Sequence, residues 1–210
     1  MLYLIAFTCL AVAGLLVAEY REYRPGVWLA KPLASTGFVA VAVAAGALGS
    51  SYGRWVLAAL LLSWLGDVLL IPRGARRCFQ AGLLSFLLGH LAFAAAFATR
   101  GLDGLTSVCV AVAAAAVGWL VLRWLRPHLP PGMGTPVRAY VAVISAMVVC
   151  AAGTVGRAGD SRILAGALLF YLSDLAVARE RFLAPSFANK AWGLPLYFGG
   201  QLILATTASG

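Results

Sequence analysis

A chain of 210 residues that is 62% hydrophobic and 11% charged is not an ordinary soluble domain, for which about 45–50% and about 25% are typical. A net charge of +9 would suggest nucleic acid in a soluble protein, but here the basic residues are scattered between apolar runs, with no basic–aromatic patch and no nucleic-acid motif. No polar stretch is long enough to fold separately, so residues 1–210 read as one integral membrane domain, with room for about eight spans of ~20 residues.

The first apolar run is Leu2–Ala18. Ala11-Val12-Ala13 resembles a cleavage site, but no Lys or Arg precedes it, so the run reads as a helix. The later runs are Trp28–Leu48, Trp55–Ile71, Phe79–Thr99, Leu105–Leu125, Pro136–Gly153, Ile163–Ala178 and Ala191–Ala208. Breaks between them carry Gly, Pro and charge, as in Arg24-Pro25-Gly26, Pro72-Arg73-Gly74 and Arg126 through Gly134. The expected fold class is an all-α membrane bundle of eight transmembrane helices.

Loop charge supports that count. Odd-numbered loops hold Arg21, Arg24, Lys31, Arg73, Arg76, Arg77, Arg123, Arg126, Arg138, Arg179, Arg181 and Lys190. Even-numbered loops hold only Arg54, Arg100, Arg157 and Arg162. By the positive-inside rule the odd loops are cytoplasmic and both termini lie on the other side, in a cell (inner) membrane. The charges at helix ends also suit contact with anionic headgroups of the bilayer.

A weak internal repeat is visible at half the chain length. Leu65-Gly66-Asp67-Val68-Leu69 echoes Leu172-Ser173-Asp174-Leu175-Ala176, and Lys31-Pro32 opening helix 2 echoes Thr135-Pro136 opening helix 6. Gly82, Phe86, Gly89 and His90 echo Gly193, Tyr197, Gly200 and Gln201. These offsets suggest two parallel four-helix halves. Cys9, Cys78, Cys109 and Cys150 show no CxxC or Cys/His spacing and read as small packed residues, with neither zinc nor a disulfide framework.

Ionisable groups inside spans cost ~2.5–3.5 kcal/mol even on the lenient insertion scale, so each one needs a reason. Asp67 lies about four residues, ~6 Å of rise, from the cytoplasmic end of helix 3, and Asp174 lies at matching depth on helix 7. His90 is near the middle of helix 4, Lys31 at the cytoplasmic start of helix 2, and Tyr140, Tyr197 and Gln201 on helices 6 and 8. All seven fall between one interface and the midplane, which points to a polar pocket lined by helices 2, 3, 4, 6, 7 and 8. Each also has a plain structural reading: ion pairs locking helices for the aspartates, snorkelling for Lys31, interhelical hydrogen bonds for the rest. No GxSxG, HExxH or P-loop is present. For catalysis this leaves two carboxylates, one of which can act as acid and the other as base if their environments differ.

The ordered series Lys31-Pro32, Gly66-Asp67-Val68-Leu69-Leu70, Phe79 through Gly89-His90 to Phe97, Pro136 with Tyr140, Leu168 through Tyr171-Leu172-Ser173-Asp174, and Leu196-Tyr197 with Gln201 resembles the YhhN-like lysoplasmalogenase family. That resemblance implies an eight-helix membrane fold and hydrolysis of the vinyl ether bond of lysoplasmalogens to a fatty aldehyde and the glycerophospho-base. It implies Asp67, Asp174 and His90 as catalytic residues, either aspartate being the acid. Tyr140, Ser173, Tyr197 and Gln201 become substrate-binding residues, and Lys31 the partner of the substrate phosphate. The expected partners are a lysophospholipid and the bilayer, and neither a metal nor an organic cofactor is required. The alternative is a lipid-binding or lipid-transport protein using the same pocket without hydrolysis, which the repeat mildly favours.

Overall fold

In lipid every backbone N–H and C=O must be satisfied within the protein, and each apolar run answers that demand by closing into a helix. The computed structural model describes residues 1–209, which form α1 Leu2–Tyr20, α2 Arg24–Ala44, α3 Ser51–Leu69, α4 Arg76–Thr99, α5 Gly104–Leu125, α6 Gly134–Ala158, α7 Ser161–Ala178 and α8 Phe187–Thr206. Short 3₁₀ turns follow α2 and α5, a π turn (Arg179–Leu183) follows α7, and no strand occurs among the described residues. Seven of these helices are long and apolar enough to cross a membrane, making this a multi-pass membrane protein. The exception is α8, which is long enough at 20 residues but carries Asn189, Lys190 and Gln201.

The breaks behave as their residues dictate. Gly159 takes φ 74°, a left-handed conformation open to glycine, and ends α6. Asp160 follows at once as the N-cap of α7 through its side chain. Its hydrogen bonds to the Arg162 guanidinium hold the Asp160 carboxyl below the usual range. Two expectations need correction. Pro25 occupies the first turn of α2, where a missing N–H costs nothing, so Lys31-Pro32 does not open that helix but lies inside it. Cys9 and Cys109 are exposed on the outer surface rather than packed, and none of the four cysteines is paired.

Helices α2, α3, α4, α6, α7 and α8 contact one another in that order and close into a ring, with α1 outside against α2 and α8 and α5 outside against α6. Close approach depends on small residues. A Cβ on Gly200 of α8 would lie 2.8 Å from the Gly166 carbonyl oxygen of α7, and one on Gly166 would lie 3.1 Å from that of Gly200. Gly200→Ala is therefore expected to push α7 and α8 apart and cost about 1–3 kcal/mol. A thermal midpoint in detergent unchanged from wild type would contradict this contact. The middle of the ring is filled by aromatic rings: Phe38, Phe86, Phe170, Tyr197 and Phe198 meet edge-on or tilted at centroid distances of 4.8 to 6.2 Å.

Candidate active site

Above that aromatic layer the ring encloses a cavity of about 270 Å³. Its lining comes from the ends of α1, α3, α5 and α7 and the starts of α2, α4, α6 and α8, so it opens at the bundle end that carries the odd-numbered loops. Asp67, Asp174, Lys31, Tyr140, Ser173 and Tyr197 all line it. His90 and Gln201 do not. They lie directly behind the wall, without solvent exposure.

The two aspartates have different surroundings. Asp67, 2% exposed, has the Lys31 ammonium 3.2 Å from Oδ1. Its Oδ2 accepts from the Ser35 hydroxyl at 2.5 Å and the Tyr197 hydroxyl at 2.7 Å. One cation and two hydroxyl donors on a single carboxyl form the environment of an ionised group. Asp174 has no Lys or Arg partner among the described residues. Its Oδ2 accepts from the Tyr140 hydroxyl at 2.9 Å and lies 3.5 Å from Nε2 of His90. Each aspartate thus takes a partner from the second helix of its own half and from the fourth helix of the other half.

The imidazole tautomer follows from its other nitrogen. Nδ1 of His90 lies 2.6 Å from the Phe86 carbonyl oxygen, which can only accept, so Nδ1 carries hydrogen. The ring is tilted by 31° against Phe170, with centroids 4.3 Å apart, and edge-on to Tyr140. Nε2 has no hydrogen-bond partner at strict distance and faces a carboxyl oxygen, which is also an acceptor. The two atoms are 3.5 Å apart, and a proton on either the carboxyl or the imidazole would let them hydrogen-bond.

The Ser173 hydroxyl donates to the Phe170 carbonyl of its own helix while lining the cavity. Gln201 donates to the Ser63 hydroxyl at 3.3 Å, one turn below Tyr197. Sequence reasoning missed Ser35, which sits one turn after Lys31 and looks like any serine in an alanine-rich helix. It also missed the mouth. There Lys190 of α8 lies 2.8 Å from Glu19 of α1 and 3.8 Å from Glu180, and Glu19 also meets Arg73 at 3.2 Å. Glu180 accepts from the Ser186 amide and the Asn189 side chain, tying the π turn to the start of α8. Loop charge was the only available signal for these groups, and it does not say which charges meet. No group of three His, Cys, Asp or Glu side chains among the described residues is arranged to hold a metal.

The profile of the YhhN family matches residues 26–208. Similar proteins include the lysoplasmalogenase of Mycobacterium bovis, 34% identical over 169 residues that make up 76% of this chain and 62% of that protein. Lysoplasmalogenase TMEM86A of Bos taurus is 30% identical over 159 residues, 73% of this chain and 64% of that one. Lysoplasmalogenase TMEM86B of Homo sapiens is 31% identical over 157 residues, 75% and 64% of the two chains. The chain thus spans less than two thirds of the length of these relatives. No solved structure matches it.

Proposed function

The chain belongs to the YhhN family, and from that premise we propose that it is a membrane hydrolase of lysoplasmalogens. It cleaves the vinyl ether of alkenyl-glycerophosphocholine or alkenyl-glycerophosphoethanolamine to a fatty aldehyde and the glycerophospho-base. The names of its relatives support the substrate. The single observation that carries the chemistry is two carboxyls on the wall of one cavity, one paired with a cation and one 3.5 Å from a buried imidazole.

Vinyl ether hydrolysis begins with proton transfer to the β-carbon. In this reading the proton held between Asp174 and His90 moves to that carbon, the carbon–carbon double bond opens, and an oxocarbenium ion forms. The ionised Asp67, held by Lys31, Ser35 and Tyr197, stabilises the developing positive charge. Water adds to the carbon next to oxygen and gives a proton back to the Asp174–His90 unit. The resulting hemiacetal collapses to aldehyde and the glycerol hydroxyl. A carboxyl that is first acid and then base parallels two-carboxylate glycoside hydrolysis. The 3.5 Å gap between His90 and Asp174 is of the kind that tightens when substrate binds. Tyr140 and Ser173 flank the reacting ether, and Gln201 supports α3 through Ser63. We assign the mouth to the cytoplasmic side of the cell membrane, following the excess of basic residues in the odd loops.

The test is fatty-aldehyde release by the purified protein in detergent, from an alkenyl lysophospholipid beside its saturated alkyl analogue. Aldehyde is expected from the alkenyl lipid alone, because the alkyl ether has no carbon–carbon double bond to take the proton. No aldehyde from a folded, monodisperse protein would overturn the hydrolase reading.

A further inference from the structure

Three cations line the cavity, and their partners differ. Lys31 is engaged by Asp67 at 3.2 Å. Lys190 is engaged by Glu19 at 2.8 Å and by Glu180 at 3.8 Å. Arg181 has no carboxylate within ion-pair distance among the described residues; its guanidinium lies over the ring of Phe79, 4.0 Å from the centroid, and both residues line the cavity mouth. A guanidinium held by one face on an aromatic ring keeps its N–H edges free for a planar anion. The mouth carboxylates, by contrast, are already occupied: Glu19 by Lys190 and Arg73, Glu180 by Lys190, the Ser186 amide and Asn189.

We propose that Arg181 is the phosphate-binding residue of the site, so that the headgroup is read through its phosphodiester while its amine goes unread. This rests on the lysophospholipid reading above and moves the phosphate from Lys31, which the geometry commits to Asp67. The spacing agrees. Arg181 follows Asp174 by seven residues, about two turns or ~10 Å along the helix. The phosphorus of a lysoplasmalogen is seven bonds from the vinyl β-carbon, ~9 Å when extended at ~1.3 Å of advance per bond. With the phosphate on Arg181, the reactive carbon lies level with Asp174 and the alkenyl chain continues along Val141 and Ile144 of the same cavity. Arg181 is exposed, so the same phosphodiester chemistry is also offered by headgroups of the surrounding bilayer, and the test separates the two sources.

Wild type, Arg181→Gln and Arg181→Lys are assayed in phospholipid-free detergent on alkenyl-glycerophosphoethanolamine, alkenyl-glycerophosphocholine and phosphate-free alkenylglycerol. Arg181→Gln is expected to raise KM about tenfold or more for both phospholipids, the loss of a charge-assisted hydrogen bond. Its kcat should stay within about twofold, and KM for alkenylglycerol should not move. Arg181→Lys should recover part of the loss, and wild type should take the two amines about equally. An equal KM change on all three substrates, or none, would assign Arg181 to the bilayer and overturn the proposal. A strong preference for one amine would overturn the second half of it. Stabilisation by the saturated alkyl-glycerophosphoethanolamine is read in parallel as a thermal shift. If wild type hydrolyses nothing but is stabilised, and Arg181→Gln is not, the phosphate site stands and the hydrolase reading falls. If neither is stabilised, the phosphate site falls as well.

Discussion

Asp174→Asn protein is expected to fold like the wild type and to release aldehyde about 10²–10⁴-fold more slowly, the usual weight of a general acid. The substitution keeps shape. One atom, Oδ2, meets both the Tyr140 hydroxyl at 2.9 Å and Nε2 of His90 at 3.5 Å, so an amide NH2 placed there can donate to the bare Nε2 and to the Tyr140 hydroxyl oxygen, reversing the Tyr140 hydrogen bond. The transferable proton is lost, because an amide does not protonate carbon. The measurement is aldehyde release coupled to an NADH-dependent alcohol dehydrogenase, with the thermal midpoint as the control for folding. Activity within a few-fold of wild type would remove Asp174 from the acid role.

Asp67→Asn is expected to damage both activity and stability, and the two effects are separable. The amide cannot balance the Lys31 ammonium, which is 3.2 Å away with its side chain 14% exposed. Leaving one charge of a buried pair unmatched costs about 3–5 kcal/mol, and Lys31 can recover part of it by reaching toward the cavity mouth. The single variant should therefore show a clearly lowered midpoint and no aldehyde release. Adding Lys31→Met removes the orphaned charge, so the double variant should regain most of the stability and none of the activity. That non-additivity is the signature of a direct pair. A double variant no more stable than Asp67→Asn would show that the ion pair is not what the substitution breaks, and an active one would remove Asp67 from the chemistry.

The site was legible in the chain wherever burial made a polar group expensive. Asp67 and Asp174 stand out because carboxylates in apolar helices need partners, and the six helices inferred from polar residues at one depth are the six that form the ring. Lys31 was legible as a residue at that depth, while its partner was not. Ser35 and Glu19 gave no signal: a serine in a helix interior and a glutamate at a helix end are both ordinary until Asp67 and Lys190 arrive beside them. Gln201 was visible as a polar side chain at the middle of a helix, but whether it faced the cavity or Ser63 depended on how α8 is rotated against α3.

The sequence alone determined the membrane class, the approximate limits of all eight helices and a short set of polar groups buried within them. Those features follow from local physics: apolar length, backbone hydrogen bonds that must close within each segment, and glycine, proline and charge at the ends. Tertiary structure decided which carboxylate faces a cation, which faces an imidazole and which of the cavity's three cations has no carboxylate beside it among the described residues. Tyr197 reaches Asp67 across 130 residues of chain, and Lys190 reaches Glu19 across 171. Such partners are chosen by the rotation and close approach of packed helices, and through them by glycines such as Gly166 and Gly200, whose own positions in the chain say nothing about charge.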